Sequence, residues 1–450
     1  MLTKVFFDPG YMPVGELSAL TQQYPGLKLI RHRKKDVAAY EKHGLEMLVY
    51  PAPGVSGVKS RLNEDPEKVW SSIINDHQTS VLFDRTVKSA SEVFKFNELM
   101  LMCCTYQHWL EQEAPDCIVF TVTPHNIKTW TLSKVAEALG IPVLYFQESF
   151  FPWRQFLLKG LKRGPEIVCP SASMALEVEQ KFFSQYVSKK KGGREEAMPL
   201  YEIKRLKKNN WKLLNFKAEL GYFLKKPLSA LEKVRSYLCY EGLAGDVSRI
   251  NYVALFLHYQ PERSTIPEGY GFGVQLAAIL ALQQALPDDT YLVVREHPST
   301  YTYNFSKNYR NRDFYQTIAS IDRVIIASVN SDPYGIMDNS IAVASITGTV
   351  IGEALVRGKP GIAFGEGIMQ AFSSNRLHKY ESVEKLRSFL SGVTELEDEG
   401  VAASFESVRV SSFSGVEDSD VEYDESRRLK YLIASVRNGM NQLLGGALKV

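Results

Sequence analysis

Three stretches of the chain hold side chains that can act together on a phosphate and a sugar. The first is Ser345-Ile-Thr-Gly-Thr-Val-Ile-Gly-Glu-Ala-Leu-Val-Arg-Gly-Lys-Pro360, which follows an apolar run and opens into a helical pattern. A strand, a Thr/Gly turn and a helix N-terminus present backbone N–H groups, hydroxyls and a positive dipole end, which suits a phosphate at Thr347, Gly348 and Thr349. Glu353 comes one helical turn after Thr349 on the same face, where a carboxylate can accept both hydroxyls of a ribose. A capped helix ended by Gly358 explains part of the same pattern. The second stretch, Arg295-Glu296-His297-Pro298-Ser299-Thr300, follows the apolar run Tyr291 to Val294. There His297 can donate to a phosphate oxygen and Arg295 can offset negative charge. The third is His258-Tyr259-Gln260-Pro261-Glu262, again just past an apolar run, with Glu262 as nucleophile or stabilising carboxylate and Gln260 as a contact to donor or acceptor substrate. Asp246 is the competing acid, although it precedes its strand and so belongs to the opposite end.

The first half of the chain offers Thr121-Val-Thr-Pro-His125-Asn126 and Gln147-Glu148-Ser-Phe-Phe-Pro-Trp-Arg154 in equivalent places. Glu148 is a candidate general base, and His125 and Arg154 are candidate anion or hydroxyl contacts. Phe150, Phe151 and Trp153 are better read as core than as a sugar-stacking platform.

These residues need elements to carry them. Strands are expected over Lys4 to Phe7, Leu27 to Ile30, Leu45 to Tyr50, Cys117 to Val122, Val143 to Phe146 and Ile167 to Cys169. A second series covers Tyr252 to Leu257, Tyr291 to Val294, Val324 to Ala327, Ile341 to Ser345 and Gly361 to Phe364. Helices are expected at Ile127 to Leu139, stopped by Gly140 and Pro142, at Val274 to Ala285, and at Val350 to Val356. Alternation of this kind is the signature of βαβ units, and it occurs twice. The expected organisation is a first lobe over residues 1–185, a basic and aromatic insertion or linker over 186–245, a second lobe over 246–390, and an acidic segment with a C-terminal helix over 391–450.

The insertion contains Lys189-Lys190-Lys191, Lys204-Arg205, Lys207-Lys208, Lys212, Lys217 and Lys225-Lys226, interleaved with Trp211, Phe216, Tyr222 and Phe223. Residues 188–235 are thus either a solvated helical insertion or an element that lies on an anionic membrane surface. The stretch Glu395 to Glu425 is acidic and Ser-rich, and could shield the basic one.

Composition narrows the classes. The chain has 450 residues, 45% hydrophobic and 23% charged, proportions of an ordinary globular protein of two or three domains. Its 53 Lys and Arg against 51 Asp and Glu give a formal charge of +2, so no nucleic-acid partner is expected. Met1 to Gly10 lacks the pattern of a secretory signal, and no apolar run approaches the length of about 18 residues that a membrane helix needs. Five cysteines without C-x-x-C spacing argue against a disulfide framework or structural zinc and suit a reducing cytoplasm. No P-loop, H-E-x-x-H or G-x-S-x-G motif is present, and Asp8-Pro9-Gly10 stands where a dinucleotide fingerprint would begin.

Taken in order, HYQPE (His258 to Glu262), REHP (Arg295 to Pro298) and SITGTVIGEALVRGKP (Ser345 to Pro360) resemble motifs of the capsular polysaccharide biosynthesis family of bacterial glycosyltransferases, which includes retaining β-Kdo transferases. The resemblance covers roughly residues 110 to 370, with Glu148 and the Phe151-Pro152-Trp153-Arg154 loop as further matches. It implies an α/β, GT-B-like fold, two Rossmann-like lobes with a deep inter-lobe cleft, nucleotide on the second and acceptor on the first. By resemblance His297, Pro298 and the Thr347 to Thr349 turn bind the CMP phosphate, Glu353 the ribose side, Glu262 attacks the sugar, and Glu148 deprotonates the acceptor. The implied activity is transfer of a sugar, Kdo from CMP-Kdo first, to a glycan or lipid-linked glycan of a capsule, O-antigen or lipopolysaccharide. A UDP- or GDP-sugar transferase or epimerase and a catalytically silent scaffold are the alternatives. The expected location is the cytoplasm, with attachment to the inner face of the inner membrane if 188–235 is the membrane-surface element. No cofactor is expected beyond the nucleotide-sugar donor. No metal is expected either, since no Asp-x-Asp pair lies near the proposed phosphate site and Asp288-Asp289 reads as a loop.

Overall fold

Strands covered on both faces need unbroken apolar runs, and helical crossovers between them impose parallel pairing. In a computed structural model, which describes residues 2–31, 34–52, 73, 76–86, 91–171, 177–193, 224, 227–302, 309–396, 401–417 and 419–448, such runs become strands of two sheets. They are β1 (Val5–Asp8), β2 (Leu27–Arg31), β3 (Met47–Val49), β4 (Cys117–Phe120), β5 (Val143–Glu148), β6 (Arg154–Lys159), β7 (Glu166–Ile167), β8 (Asn251–Phe256), β9 (Thr290–Arg295), β10 (Val324–Ala327), β11 (Ala342–Ser345), β12 (Gly361–Ala363), β13 (Leu377–Lys379) and β14 (Phe413–Ser414).

The chain divides into two compact units, one of Met1–Ala175, Val408–Asp420 and Arg427–Val450, the other of Leu176–Ser407 and Val421–Ser426. In the first, the sheet order is β14-β6-β5-β4-β1-β2-β3, with β7 on β6. Strands β1 to β5 are parallel in the order 3-2-1-4-5, while β6, β7 and β14 extend the sheet antiparallel. The second unit holds an all-parallel sheet in the order β10-β9-β8-β11-β12-β13. Each is a doubly wound, Rossmann-like unit, so the α/β fold of two such lobes is the one observed.

Local sequence explains the helices that matter. Asn126 caps Ile127–Ala138 by accepting from Thr129 N at 3.1 Å, and Trp130, Leu132, Val135 and Ala136 go into the core. Gly140 takes φ +76° just beyond its end. The helix after β8 begins at Leu276 rather than Val274, because a 3-10 turn, Tyr270–Gly273, precedes it.

Several elements differ from the sequence reading. Arg154 opens a strand instead of lying in a loop, and β13 and β14 were not expected, being only 3 and 2 residues long. The first unit ends at Ala175, and the helix Glu177–Lys191 belongs to the second. The helix Arg428–Leu444 is no separate tail: Val436, Met440 and Leu443 are buried with Phe146 and Phe413 in the first unit's core.

The basic insertion is likewise partly internal. Lys190 is buried, and Lys189 pairs with Glu425 of the acidic stretch, where the Tyr423 ring packs on Phe182 and Tyr186 at 5.9 and 5.5 Å. These two lysines therefore face protein, not lipid. The portion from Lys204 to Phe223 lies outside the described residues. No described helix is long and apolar enough to cross a membrane.

Candidate functional site

In the second sheet β8 and β11 are neighbours, yet the helices that follow them pack on opposite faces. Leu276–Ala285 contributes Ala278, Ile279 and Leu282 to one core cluster, and Thr349–Val356 contributes Ala354 to the other. The loops after β8 and β11 must diverge there, which makes the carboxyl ends of these strands the expected ligand crevice.

His258 lies at that point and is buried. Its backbone is fixed by Gln275, whose amide accepts from His258 N at 2.8 Å and donates to His258 O at 3.0 Å. Thr347 N donates to His258 Nε2 at 3.3 Å, which assigns the ring proton of the neutral form to Nδ1. Nδ1 lies 3.0 Å from Glu262 Oε2 and donates to it. Burial pushes the Glu262 carboxyl up, but the hydrogen bond from His258, the charges His258 and His297 can carry, and a hydrogen bond from Ser264 outweigh it and hold it below the usual carboxylate range. The result is an ionised carboxylate joined through an imidazole to the backbone of the Thr-Gly-Thr turn.

His297 comes from β9. Ser299 N donates to its Nδ1 at 3.0 Å, so the neutral ring carries its proton on Nε2, and the ring meets Tyr259 edge-on at 5.4 Å. Pro298, partly buried, accepts through its carbonyl from Tyr301 N at 3.2 Å and so closes the turn that orients the histidine. Beneath lies Glu296, fully buried and not singled out by sequence reasoning. It accepts from Arg310 Nε at 2.5 Å, Tyr315 OH at 2.9 Å, Thr300 Oγ1 at 3.2 Å and His297 N at 2.8 Å. Arg310 Nη2 also donates to His258 O at 2.9 Å, tying the β8 and β9 loops together. The signal was present as an acid between Arg295 and His297, but a motif does not say which of its members is buried.

Thr347 is more clamp than phosphate ligand, since its N–H serves His258 and its Oγ1 donates to Ser264 O at 2.6 Å. Gly348 and Thr349 remain for an anion: Gly348 caps the helix without any side-chain hydrogen bond, and Thr349 is exposed.

Three expected contacts are engaged elsewhere. Glu353 is buried, with Lys190 Nζ donating to Oε1 at 2.8 Å and Tyr334 OH to Oε2 at 3.3 Å, so neither oxygen is held ready for ribose. Gln260 is buried and donates to Thr265 Oγ1 at 2.8 Å and Gly273 O at 3.2 Å, holding its own loop. Arg295 is turned to β10, where Nη2 donates to Val329 O at 2.9 Å and Ser331 O at 3.2 Å. Arg357 and Lys359 donate to Asp338 Oδ1 and Ser340 O at 2.7 and 3.1 Å, at the far end of their helix. Asp246 is exposed ahead of β8, where it caps Ser248 N at 2.9 Å, and this favours Glu262 as the carboxylate of the crevice.

In the first unit Glu148 ends β5 and pairs with Arg428 of the C-terminal helix. His125 follows β4 with Nδ1 2.8 Å from Thr123 O. Arg154 is buried, and its Nη1 donates to Arg409 O at 2.8 Å and Ser412 O at 2.7 Å; it secures β14 and is not presented to an anion. Phe150, Phe151 and Trp153 are buried as core. The ends of β1 to β3 hold a cluster that sequence reasoning missed: Asp8 accepts from Arg31 Nη1 at 2.8 Å and Tyr50 OH at 3.0 Å. Among the described residues no group of three His, Cys, Asp or Glu is placed to hold a metal ion.

No protein-family model matches the chain, and no curated protein matches it. Solved structures that resemble it include the β-Kdo 2,7 transferase KpsC of Thermosulfurimonas dismutans, at 10% identity over 96% of this chain and 98% of that one, with a TM-score of 0.29. Another is UDP-GlcNAc 2-epimerase of Methanocaldococcus jannaschii in complex with UDP-GlcNAc and UDP, at 13% identity over 90% and 96%, with a TM-score of 0.25. Anabaena Alr3699/HepE in complex with UDP-glucose is 13% identical over 99% of both chains, with a TM-score of 0.25. At these identities and scores no residue role passes from them to this chain.

Proposed function

We propose that the chain is a glycosyltransferase of bacterial surface-polysaccharide assembly that takes a nucleotide-sugar donor, CMP-Kdo first, and transfers the sugar to a glycan or lipid-linked glycan. The reading is carried by the ionised Glu262 at the β8/β11 crevice, hydrogen-bonded to His258 beside the uncapped helix start at Gly348 and Thr349. Phosphate bound at that helix start would meet the Nε2–H of His297 as negative charge develops on the departing nucleotide. Glu262 would attack the anomeric carbon as the sugar–phosphate bond breaks, the nucleotide leaving with the electron pair. The acceptor hydroxyl would then displace Glu262 with net retention, its proton going to a general base or to water. Positive charge that develops at the anomeric carbon in the oxocarbenium-like transition state gains from a nearby anion such as Glu262. The same reading places the enzyme in the cytoplasm, at the inner face of the inner membrane.

The test is isothermal titration of the purified chain with CMP, UMP, UDP and GDP, followed by transfer assays with Glu262→Gln and His297→Ala. Selective CMP binding that falls in His297→Ala, with transfer lost in both variants and folding intact, is the expected result. Tighter binding of UDP or GDP would replace the Kdo donor by another nucleotide sugar. No nucleotide binding would leave the non-catalytic scaffold.

A further inference from the structure

The carboxylate expected to read ribose, Glu353, spends both oxygens on Lys190 and Tyr334. A second acidic residue, Glu366, stands in a segment that packs against the same turn. After β12 the chain runs beside the β11 loop, with Phe364 N donating to Ser345 O at 3.2 Å and Gly365 N to Ile346 O at 2.8 Å. The approach is close enough to demand glycine on both sides of Glu366. A Cβ on Gly365 would lie 2.7 Å from Thr347 Cγ2, and one on Gly367, at φ +44°, would lie 2.7 Å from Thr347 Cβ. Glu366 is partly buried, and its Oε2 is shut from solvent without a hydrogen bond among the described residues. Lys379 feels its charge, but its Nζ donates to Gln370 O at 2.8 Å. A buried carboxylate oxygen left without a donor is costly unless a ligand supplies one.

We propose that Glu366 is the sugar-hydroxyl acceptor of the donor site, taking O–H donors from the sugar next to a phosphate bound at Gly348 and Thr349. The proposal rests on the nucleotide-sugar reading. Two sugars flank the phosphate of such a donor, the ribose of the nucleotide and the sugar to be transferred, and the chemistry is shared by both.

The experiment is calorimetric titration of wild type, Glu366→Gln, Glu366→Ala and Glu353→Gln with CMP, 2′,3′-dideoxy-CMP and CMP-Kdo, with thermal melts of each protein without ligand. Loss of a charge-assisted hydrogen bond should weaken binding by about tenfold to a hundredfold in Glu366→Ala. If the partner is ribose, CMP loses that affinity while the dideoxy nucleotide binds wild type and variant alike. If it is the transferred sugar, CMP is unaffected and CMP-Kdo is weakened. The melting midpoint of Glu366→Gln should rise without ligand, because a carboxylate oxygen held from solvent without a donor is replaced by an amide. A lowered midpoint, or unchanged affinity for CMP and CMP-Kdo in both Glu366 variants, overturns the assignment. Failure of wild type to bind any of the three ligands instead overturns the CMP-donor reading, and the assignment falls with it.

Discussion

Burial alone would favour the protonated form of the Glu262 carboxyl, and it is His258, His297 and Ser264 that reverse the balance. A folded-state pKa below the unfolded one has a definite sign. The stabilisation from pairing is fully present above the usual carboxylate range and is lost as pH falls through the lowered folded value. Glu262→Gln removes that term, so thermal melts across the acid range should show a gap between wild type and variant that is widest near neutrality and closes as pH falls. A gap independent of pH would mean that Glu262 is not ionised in the fold. His258 acts through Glu262 and the turn, so His258→Asn should weaken the hold on the Thr347 backbone as well as the carboxylate. His297, with the proton of its neutral ring on Nε2, keeps that nitrogen for the phosphate contact of the proposed reaction.

The loops after β8 and β9 owe their positions to one buried ion pair. Glu296 and Arg310 are respectively 0% and 2% exposed, and Arg310 reaches across to His258 O. Removing one partner leaves the other charge buried, so Glu296→Gln or Arg310→Met should cost about 3–5 kcal/mol in denaturant unfolding. The double replacement Glu296→Gln with Arg310→Met should cost less than the sum of the two, and additivity would show the pair to be uncoupled. This pair also marks where the sequence was readable and where it was not. Glu262, His297 and Gly348 could be found because each follows an apolar run at a strand end, and strand ends in a doubly wound sheet converge, whereas His258 was only part of a motif with no role of its own. Arg154, Arg295 and Glu353 have equally suggestive neighbours, but their partners lie far along the chain: Arg154 reaches 255 residues on, Arg295 reaches 34, and Glu353 is claimed from 163 residues earlier. Motif spacing names a residue type and a place, while its hydrogen-bond partner depends on how distant segments pack.

At the scale of the whole chain the same limit appears in the division into units. Periodicity gave two βαβ series in order, and the sheets follow it, but nothing local says that the last helix returns to the first core. The chain leaves the first unit at Ala175, re-enters it over Val408–Asp420, passes through Val421–Ser426 of the second, and ends in the first. The returning helix is committed by packing as well as by charge. Gly439 lies where a Cβ would be 2.7 Å from Phe146, and Arg437 donates to Glu16 and Glu417 at 2.9 and 2.6 Å. It carries Val436, Met440 and Leu443, each buried to 1% exposure or less. Full burial of each such side chain is worth roughly 1.5–3 kcal/mol, so removing three is comparable with the whole stability of a domain. Ending the chain after Ser426 should therefore unfold the first unit while sparing the β8 to β13 sheet, whose core draws nothing from that helix. Hydrogen exchange read by mass spectrometry should show β1 to β5 losing protection and β8 to β12 keeping it. Retention of protection in β1 to β5 would show that the first unit closes its core without the helix, whereas loss in both sheets would show that the two units unfold as one.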